Sequence, residues 1–134
     1  MNAAEQFVDT NVLLYLLSAD SEKAHRAEKI VSRGGTISVQ VLNEFAAVAL
    51  RRLNMTFPEI RDALRAIRGM VRVVPLNEAT HDTGLRIAQR YRLSIYDATL
   101  IAAAMLSDCR IFVSEDLQHG QEFEGNLRVR NPFL

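Results

Sequence analysis

The feature that most constrains this chain is Phe7-Val8-Asp9-Thr10-Asn11-Val12-Leu13-Leu14-Tyr15-Leu16-Leu17, where one acid is wedged between a short apolar run and a longer one. Both flanks favour burial, so the Asp9 carboxylate cannot easily reach bulk water and needs a hydrogen-bond donor or a cation nearby. The pattern reads as a strand ending near Val8, a turn through Asp9 to Asn11, and a helix starting under Thr10 or Asn11. Such a junction lies at the carboxyl end of a strand, the edge where open α/β sheets bind ligands. Two roles for Asp9 stay open on this stretch alone. It can cap the helix, where an acid also suits the helix dipole, or it can serve a site.

At 134 residues the sequence fits one domain spanning 1–134, large enough for a real core and too small for two. The apolar run 12–17 is far short of a membrane span and no basic leader precedes it, so the expectation is a cytoplasmic protein with no membrane contact. The single cysteine, Cys109, adjoins an apolar run without His or Cys at ligand spacing and reads as buried and structural. His81 and His119 sit in polar surroundings and read as surface residues.

Along the chain, Ser18 to Ser21 interrupt the first helix, and Glu22 to Ser32 form a second with Ala24, Ala27, Ile30 and Val31 on one side. Gly34-Gly35 closes it. Thr36-Ile37-Ser38 is a short strand, followed by a helix from Val39 to Leu53 whose buried stripe is Leu42, Phe45, Ala46, Ala49 and Leu53. Glu44 falls almost opposite that stripe, beside Gln40, Ala47 and Arg51, so periodicity places it in solvent. Thr56-Phe57-Pro58-Glu59 is a capping box opening a helix to Arg68. Val71 to Val74 is a strand ended by Pro75, and Asn77 caps a helix to Arg92 with Leu85, Ile87 and Ala88 inward. Ser94-Ile95-Tyr96-Asp97 starts a helix whose body, Ala98 to Leu106, is apolar on nearly every side and therefore central. Asp97 there can close a capping box with Ser94 or serve a site. Cys109 to Val113 is a buried strand running out into Ser114-Glu115-Asp116, and Leu127-Arg128-Val129 is a last short one. Strands alternating with helix pairs imply a mostly parallel sheet of four or five strands, covered by helices on both faces.

Asp9, Glu44, Asp97 and Asp116 lie far apart in sequence, yet a parallel sheet brings Asp9 and Asp116 to one edge, with Glu44 and Asp97 early in neighbouring helices. Like charges gathered there repel strongly unless neutralised. An oxygen-loving divalent ion does this, and carboxylates suit Mg²⁺ or Mn²⁺ better than zinc. Such an ion lowers the pKa of a water and clamps phosphodiester oxygens while a carboxylate orients the attack, so no His or Lys nucleophile is required. The formal net charge of zero first argues against a nucleic-acid partner. With four acids set aside in a site, however, 16 basic residues face 12 acidic ones, and all but Lys23 and Lys29 are arginines, which match phosphate geometry.

These residues resemble the PIN-domain family of metal-dependent nucleases, and in particular the VapC-like toxins of toxin–antitoxin pairs. Val8-Asp9-Thr10-Asn11-Val12 looks like the first motif of the family, Gln40-Val41-Leu42-Asn43-Glu44-Phe45 the second, Tyr96-Asp97-Ala98 the third and Ser114-Glu115-Asp116 the fourth. The resemblance spans the whole chain and implies a three-layer α/β/α sandwich with the first and fourth long strands adjacent. It also implies an acidic quartet of Asp9, Glu44, Asp97 and Asp116, with Mg²⁺ or Mn²⁺ held by Asp9, Asp97 and Asp116. Thr10, Asn11, Asn43 and Ser114 would support it, and either Glu115 or Asp116 can be the acid that faces the metal. The implied activity is endoribonuclease cleavage of RNA, with a small antitoxin as inhibitor and a homodimer as the assembly.

Two other readings compete. A receiver or haloacid-dehalogenase type phosphotransfer domain would usually need a late lysine, and both lysines here are early. A PIN-like fold that binds RNA or a protein partner without cutting is the other, and metal-dependent cleavage lost on Asp9→Asn separates it from a nuclease.

Overall fold

The computed structural model describes residues 5–134. Along the described chain run β1 (Gln6–Val8), α1 (Thr10–Leu14) with a 3₁₀ turn at Tyr15–Leu17, α2 (Ser21–Ser32), β2 (Thr36–Ser38), α3 (Val39–Arg52), α4 (Phe57–Arg68) and β3 (Arg72–Val74). They are followed by α5 (Glu78–Tyr91), α6 (Ile95–Leu106), β4 (Ile111–Val113), β5 (Glu122–Phe123) and β6 (Leu127–Arg130). The strands form one sheet in the order β3-β2-β1-β4-β6-β5, parallel except for the β5–β6 pair. This is the α/β fold with a mostly parallel sheet that the alternation of elements implied. β1 and β4 are neighbours, with Val8 opposite Val113.

That order fixes where a site can form. The chain steps from β1 to β2 to β3 in one direction, then crosses back to lay β4 on the other side of β1. Right-handed crossovers in opposite directions put their helices on opposite faces. The β1–β4 boundary is therefore the point where the winding reverses, and a crevice opens beyond its carboxyl edge. Asp9 follows β1 at that edge and Ser114 follows β4.

The core lies around β1 and β4, where Phe7 stacks on Phe112 with ring centroids 5.4 Å apart. Phe45, Ile87, Leu100 and Ile101 close over it, all buried. Each such side chain stabilises the fold by about 1.5–3 kcal/mol. As its composition required, α6 is buried from Ala98 through Ala104. Cys109 is buried too, and burial raises the pKa of its thiol. Thr56 and Glu59 form the expected reciprocal cap of α4, and Asn77 caps α5.

Three expectations need correction. The sheet has six strands, because the two-residue antiparallel β5 is too short to carry an alternation. Leu85 is 56 % exposed. Ile87 is buried and Ala88 packs against the core as expected, but Thr80 and Gly84 take the place of Leu85 on the inward face of α5, since Gly84 lets α5 approach α6 closely, a Cβ there lying 3.1 Å from the Thr99 Cα. The buried stripe of α3 is Val41, Phe45 and Ala49, with Gln40 also buried, while Leu53 is 44 % exposed and follows the helix. This moves the stripe roughly 50° around the helix toward Glu44, at 100° per residue.

Candidate active site at the carboxyl edge of β1 and β4

Asp9 is both a cap and a member of a cluster. It is the N-cap of α1, and its Oδ1 accepts from the Thr10 amide at 2.7 Å. Its other oxygen, Oδ2, accepts from the Ser114 hydroxyl at 2.8 Å and from Asn11 Nδ2 at 3.1 Å. The residue is 6 % exposed and Ser114 is fully buried, so the two open roles are filled by one side chain. The same Asn11 Nδ2 donates to Asp116 Oδ2 at 3.0 Å. Two carboxylate oxygens sharing one donor nitrogen are no more than about 6 Å apart, a range at which like charges disfavour each other's ionisation.

The fourth-motif loop is oriented from both ends. Asn11 Oδ1 accepts from the Glu115 amide at 3.2 Å, and the Ser114 hydroxyl accepts from the Asp116 amide at 3.1 Å. Asp116 is thereby turned to the cluster. Glu115 points elsewhere: it accepts from the Tyr15 hydroxyl and pairs with Lys23 Nζ at 3.5 Å, while the Lys23 ammonium lies over the Tyr15 ring.

Glu44 joins from the opposite side. Its Oε1 accepts from the Thr10 hydroxyl at 2.8 Å and its Oε2 from Gln40 Nε2 at 2.8 Å. It is half-buried, contrary to its assignment to solvent, because the flank of α3 that carries it faces α1. Gln40 Nε2 also donates to the Tyr96 carbonyl at 3.0 Å, which ties α3 to the first turn of α6 next to Asp97. Ser94 caps α6 by accepting from the Asp97 amide at 3.1 Å, but the Ser94 amide makes no return bond to the Asp97 carboxylate to complete a box. A continuous run of contacts thus links Asp116, Asn11, Asp9, Thr10, Glu44, Gln40 and the backbone before Asp97. Asn43 is not part of it, being exposed and without a side-chain hydrogen bond to a described residue.

The electrostatics follow from this crowding. Burial raises the pKa of Asp9 to about 7, and the nearby Asp97 and Asp116 charges add to the rise against the Ser114 and Thr10 bonds. Asp97 is also shifted upward, first by burial and then by Asp116 and Glu44. None of the four acids forms an ion pair with a described Lys, Arg or His.

In sequence, the profile of the PIN domain matches residues 7–121, a stretch that contains all four acids. The chain belongs to the PIN-domain family. A comparison with curated proteins finds no match. Among solved structures, this PIN domain is similar to a chain of a toxin–antitoxin complex from Klebsiella pneumoniae (19% identity, 95% of this chain and 97% of that one, TM-score 0.72). It is also similar to VapC20 of Mycobacterium tuberculosis, described as a sarcin-ricin loop cleaving toxin (23% identity, 80% and 86% covered, TM-score 0.65). A third is a chain of VapBC2 from Rickettsia felis, bound to a DNA fragment from its promoter (14% identity, 94% and 97% covered, TM-score 0.68). At these identities the likeness is one of fold.

PIN nucleases generally use divalent metal ions, and the donor set of this PIN domain fits one. It is all oxygen, anionic, and without a protein cation to balance it. Among the described residues no three His, Cys, Asp or Glu side chains form a ready-made cage. The residues missed by sequence reasoning are Gln40, which looked like a surface position, and the Tyr15–Lys23–Glu115 group. A signal for Gln40 existed in its i, i+4 spacing to Glu44.

Proposed function

We propose that this PIN domain is an endoribonuclease dependent on Mg²⁺ or Mn²⁺ and the toxin of a toxin–antitoxin pair. The observation that carries the reading is the hydrogen-bonded run that gathers Asp116, Asp9 and Glu44, with Asp97 near enough for its charge to act on Asp9 and to feel Asp116 and Glu44, and with no described Lys, Arg or His paired to any of the four. Asp9, Asp97 and Asp116 would hold the ion, which supplies neutralisation of the phosphate and a lowered pKa for the attacking water. The chain does the positioning. Asn11 and Ser114 fix Asp9 and Asp116 at the β1–β4 edge, where Asp9 must give up its proton before it can ligate. Thr10 and Gln40 each occupy one oxygen of Glu44 and hold the carboxylate in place, so that its remaining lone pairs can accept a hydrogen bond from the water and orient it toward phosphorus.

The partner reading is supported by fold-level likeness to chains from toxin–antitoxin complexes. Leu50, Leu53 and Phe57, exposed around the α3–α4 turn, offer apolar surface for an antitoxin or a second copy of the chain. No described helix is long and apolar enough to cross a membrane.

The test is cleavage of single-stranded and looped RNA by the purified protein, with Mn²⁺ or Mg²⁺ and with EDTA. Cutting is expected only with metal and should fall about a hundredfold or more in Asp9→Asn and Asp97→Asn. Cleavage in EDTA, or full activity in both variants, would overturn the reading. RNA binding with no cutting under any metal would support the non-catalytic alternative. A small DNA-binding protein encoded in the adjacent reading frame is the matching expectation for the toxin assignment.

A further inference from the structure

One cleft outside the acid cluster collects positive charge. It encloses about 380 Å³ between α2 and the segment that follows β6, and its lining includes Arg26, Lys29, Arg33, His119 and Arg130 but no acidic residue. Spacings of three and four residues put Arg26, Lys29 and Arg33 on one face of α2. Arg26 is held in place by donating to the Pro132 carbonyl at 3.1 Å and lies 3.8 Å from Glu22. Lys29, Arg33 and Arg130 make no ion pair with a described residue. His119 Nδ1 accepts from the Asn131 amide at 3.0 Å, which leaves the ring proton on Nε2 as a donor. Lys29, Arg33 and Arg130 thus stand together in this hollow without a carboxylate partner among the described residues. Their mutual repulsion brings no benefit to the fold, so they point to an anion.

The cleft adjoins the acids. Arg130 is in register with Val113, which also lines the cleft, and the next residue, Ser114, donates its amide to the Arg130 carbonyl at 3.0 Å. The hydroxyl of that same Ser114 binds Asp9. One turn before Arg26 on α2, Lys23 pairs with Glu115 of the fourth-motif loop. The basic face therefore begins beside the fourth-motif loop that carries Ser114 and Asp116.

We propose that this cleft binds the phosphodiester backbone of the RNA strand as it leaves the acid cluster. The identity of the ligand rests on the nuclease reading above. An acidic peptide shares the charge, but a strand cut at the acid cluster has to continue beyond it, and this cleft is a basic surface that adjoins the cluster. Backbone contacts of this kind set affinity and register and carry no sequence preference.

The test compares wild type with Lys29→Glu/Arg33→Glu and with Arg130→Glu, and takes Arg61→Glu/Arg65→Glu and the single Arg61→Glu on α4 as controls matched in charge to the double and the single variant, outside the cleft. Binding of a labelled 20-nucleotide single-stranded RNA of mixed sequence is measured in EDTA over a range of salt. The cleft variants should bind at least about tenfold more weakly at low salt, and the slope of log K against log salt should flatten by about 0.7 for each phosphate that the variant no longer neutralises. Each control should stay within about threefold of wild type. Cleft variants that bind RNA as their controls do overturn the proposal. So does loss of affinity for a Glu-rich peptide with RNA binding intact, which would make the cleft a seat for an acidic protein tail. Failure of the nuclease reading looks different: no RNA is cut with Mn²⁺, yet the cleft variants still bind RNA more weakly than wild type.

Discussion

Asp9 carries two demands that a single carboxylate meets only with help. As the cap of α1 it accepts a backbone amide, and as a cluster member it stands buried beside other acids. Its pKa of about 7 means that the folded, metal-free protein holds a proton there that the unfolded chain releases near pH 4. The native state binds more protons than the unfolded state across that window, so this group's contribution to stability is full below about pH 4 and is lost as pH rises to about 7. The loss is of the order of a few kcal/mol. A divalent ion must displace that proton. Thermal melts should therefore show a larger gain from millimolar Mn²⁺ at pH 8 than at pH 5.5, and an equal gain at both would contradict the burial argument. Asn11 tests the clasp between Asp9 and Asp116: Asn11→Ala should weaken Mn²⁺ binding about 10- to 100-fold in calorimetric titration. Glu115 separates from Asp116 in the same way. Its pairing with Lys23 is partly solvated, with 38% and 29% of the two side chains exposed, so Glu115→Gln should cost under about 1 kcal/mol and leave metal binding intact. Asp116→Asn should abolish it.

At the scale of elements, the close contact of α5 and α6 is what aims the start of α6. A Cβ on Gly84 would lie 2.9 Å from the Thr99 hydroxyl and 3.1 Å from its Cα, and that hydroxyl is already committed to the Ile95 carbonyl at 2.6 Å. Gly84→Ala should destabilise the protein by about 1–3 kcal/mol in denaturant unfolding. An unchanged midpoint would mean that the helices can part freely. This packing also marks a limit of what the residues disclosed. Leu85 looked inward because a leucine is the obvious core residue of α5, whereas the close approach is made by the glycine before it. Caps and apolar runs were legible because their signals are local: Thr56 with Glu59, Asn77, and the apolar body of α6. Asp9 and Asp116 could be placed at one edge because each follows a buried run. Glu44 could not be located from period alone, since the half-buried Leu42 and Ala46 and the exposed Leu53 pulled the apparent stripe away from its true centre. The flank opposite that apparent stripe meets α1 and the start of α6 instead of water, a tertiary fact with no local trace. Gln40 was hidden for the same reason.

For the molecule as a whole, strand order and charge distribution act together. The reversal between β1 and β4 opens a crevice at one edge, and the acids, brought by four elements, converge there. The basic cleft lies on the adjoining side. A net charge of zero therefore conceals two opposed fields, one suited to a cation and the other to the phosphates that accompany it. The most direct test of that convergence is Mn²⁺ binding, followed by electron paramagnetic resonance, in wild type and in Asp9→Asn, Asp97→Asn and Asp116→Asn. If the acids share one site, each single change should weaken the same bound population by about tenfold or more. Undiminished binding in any two of the three variants would contradict a common site.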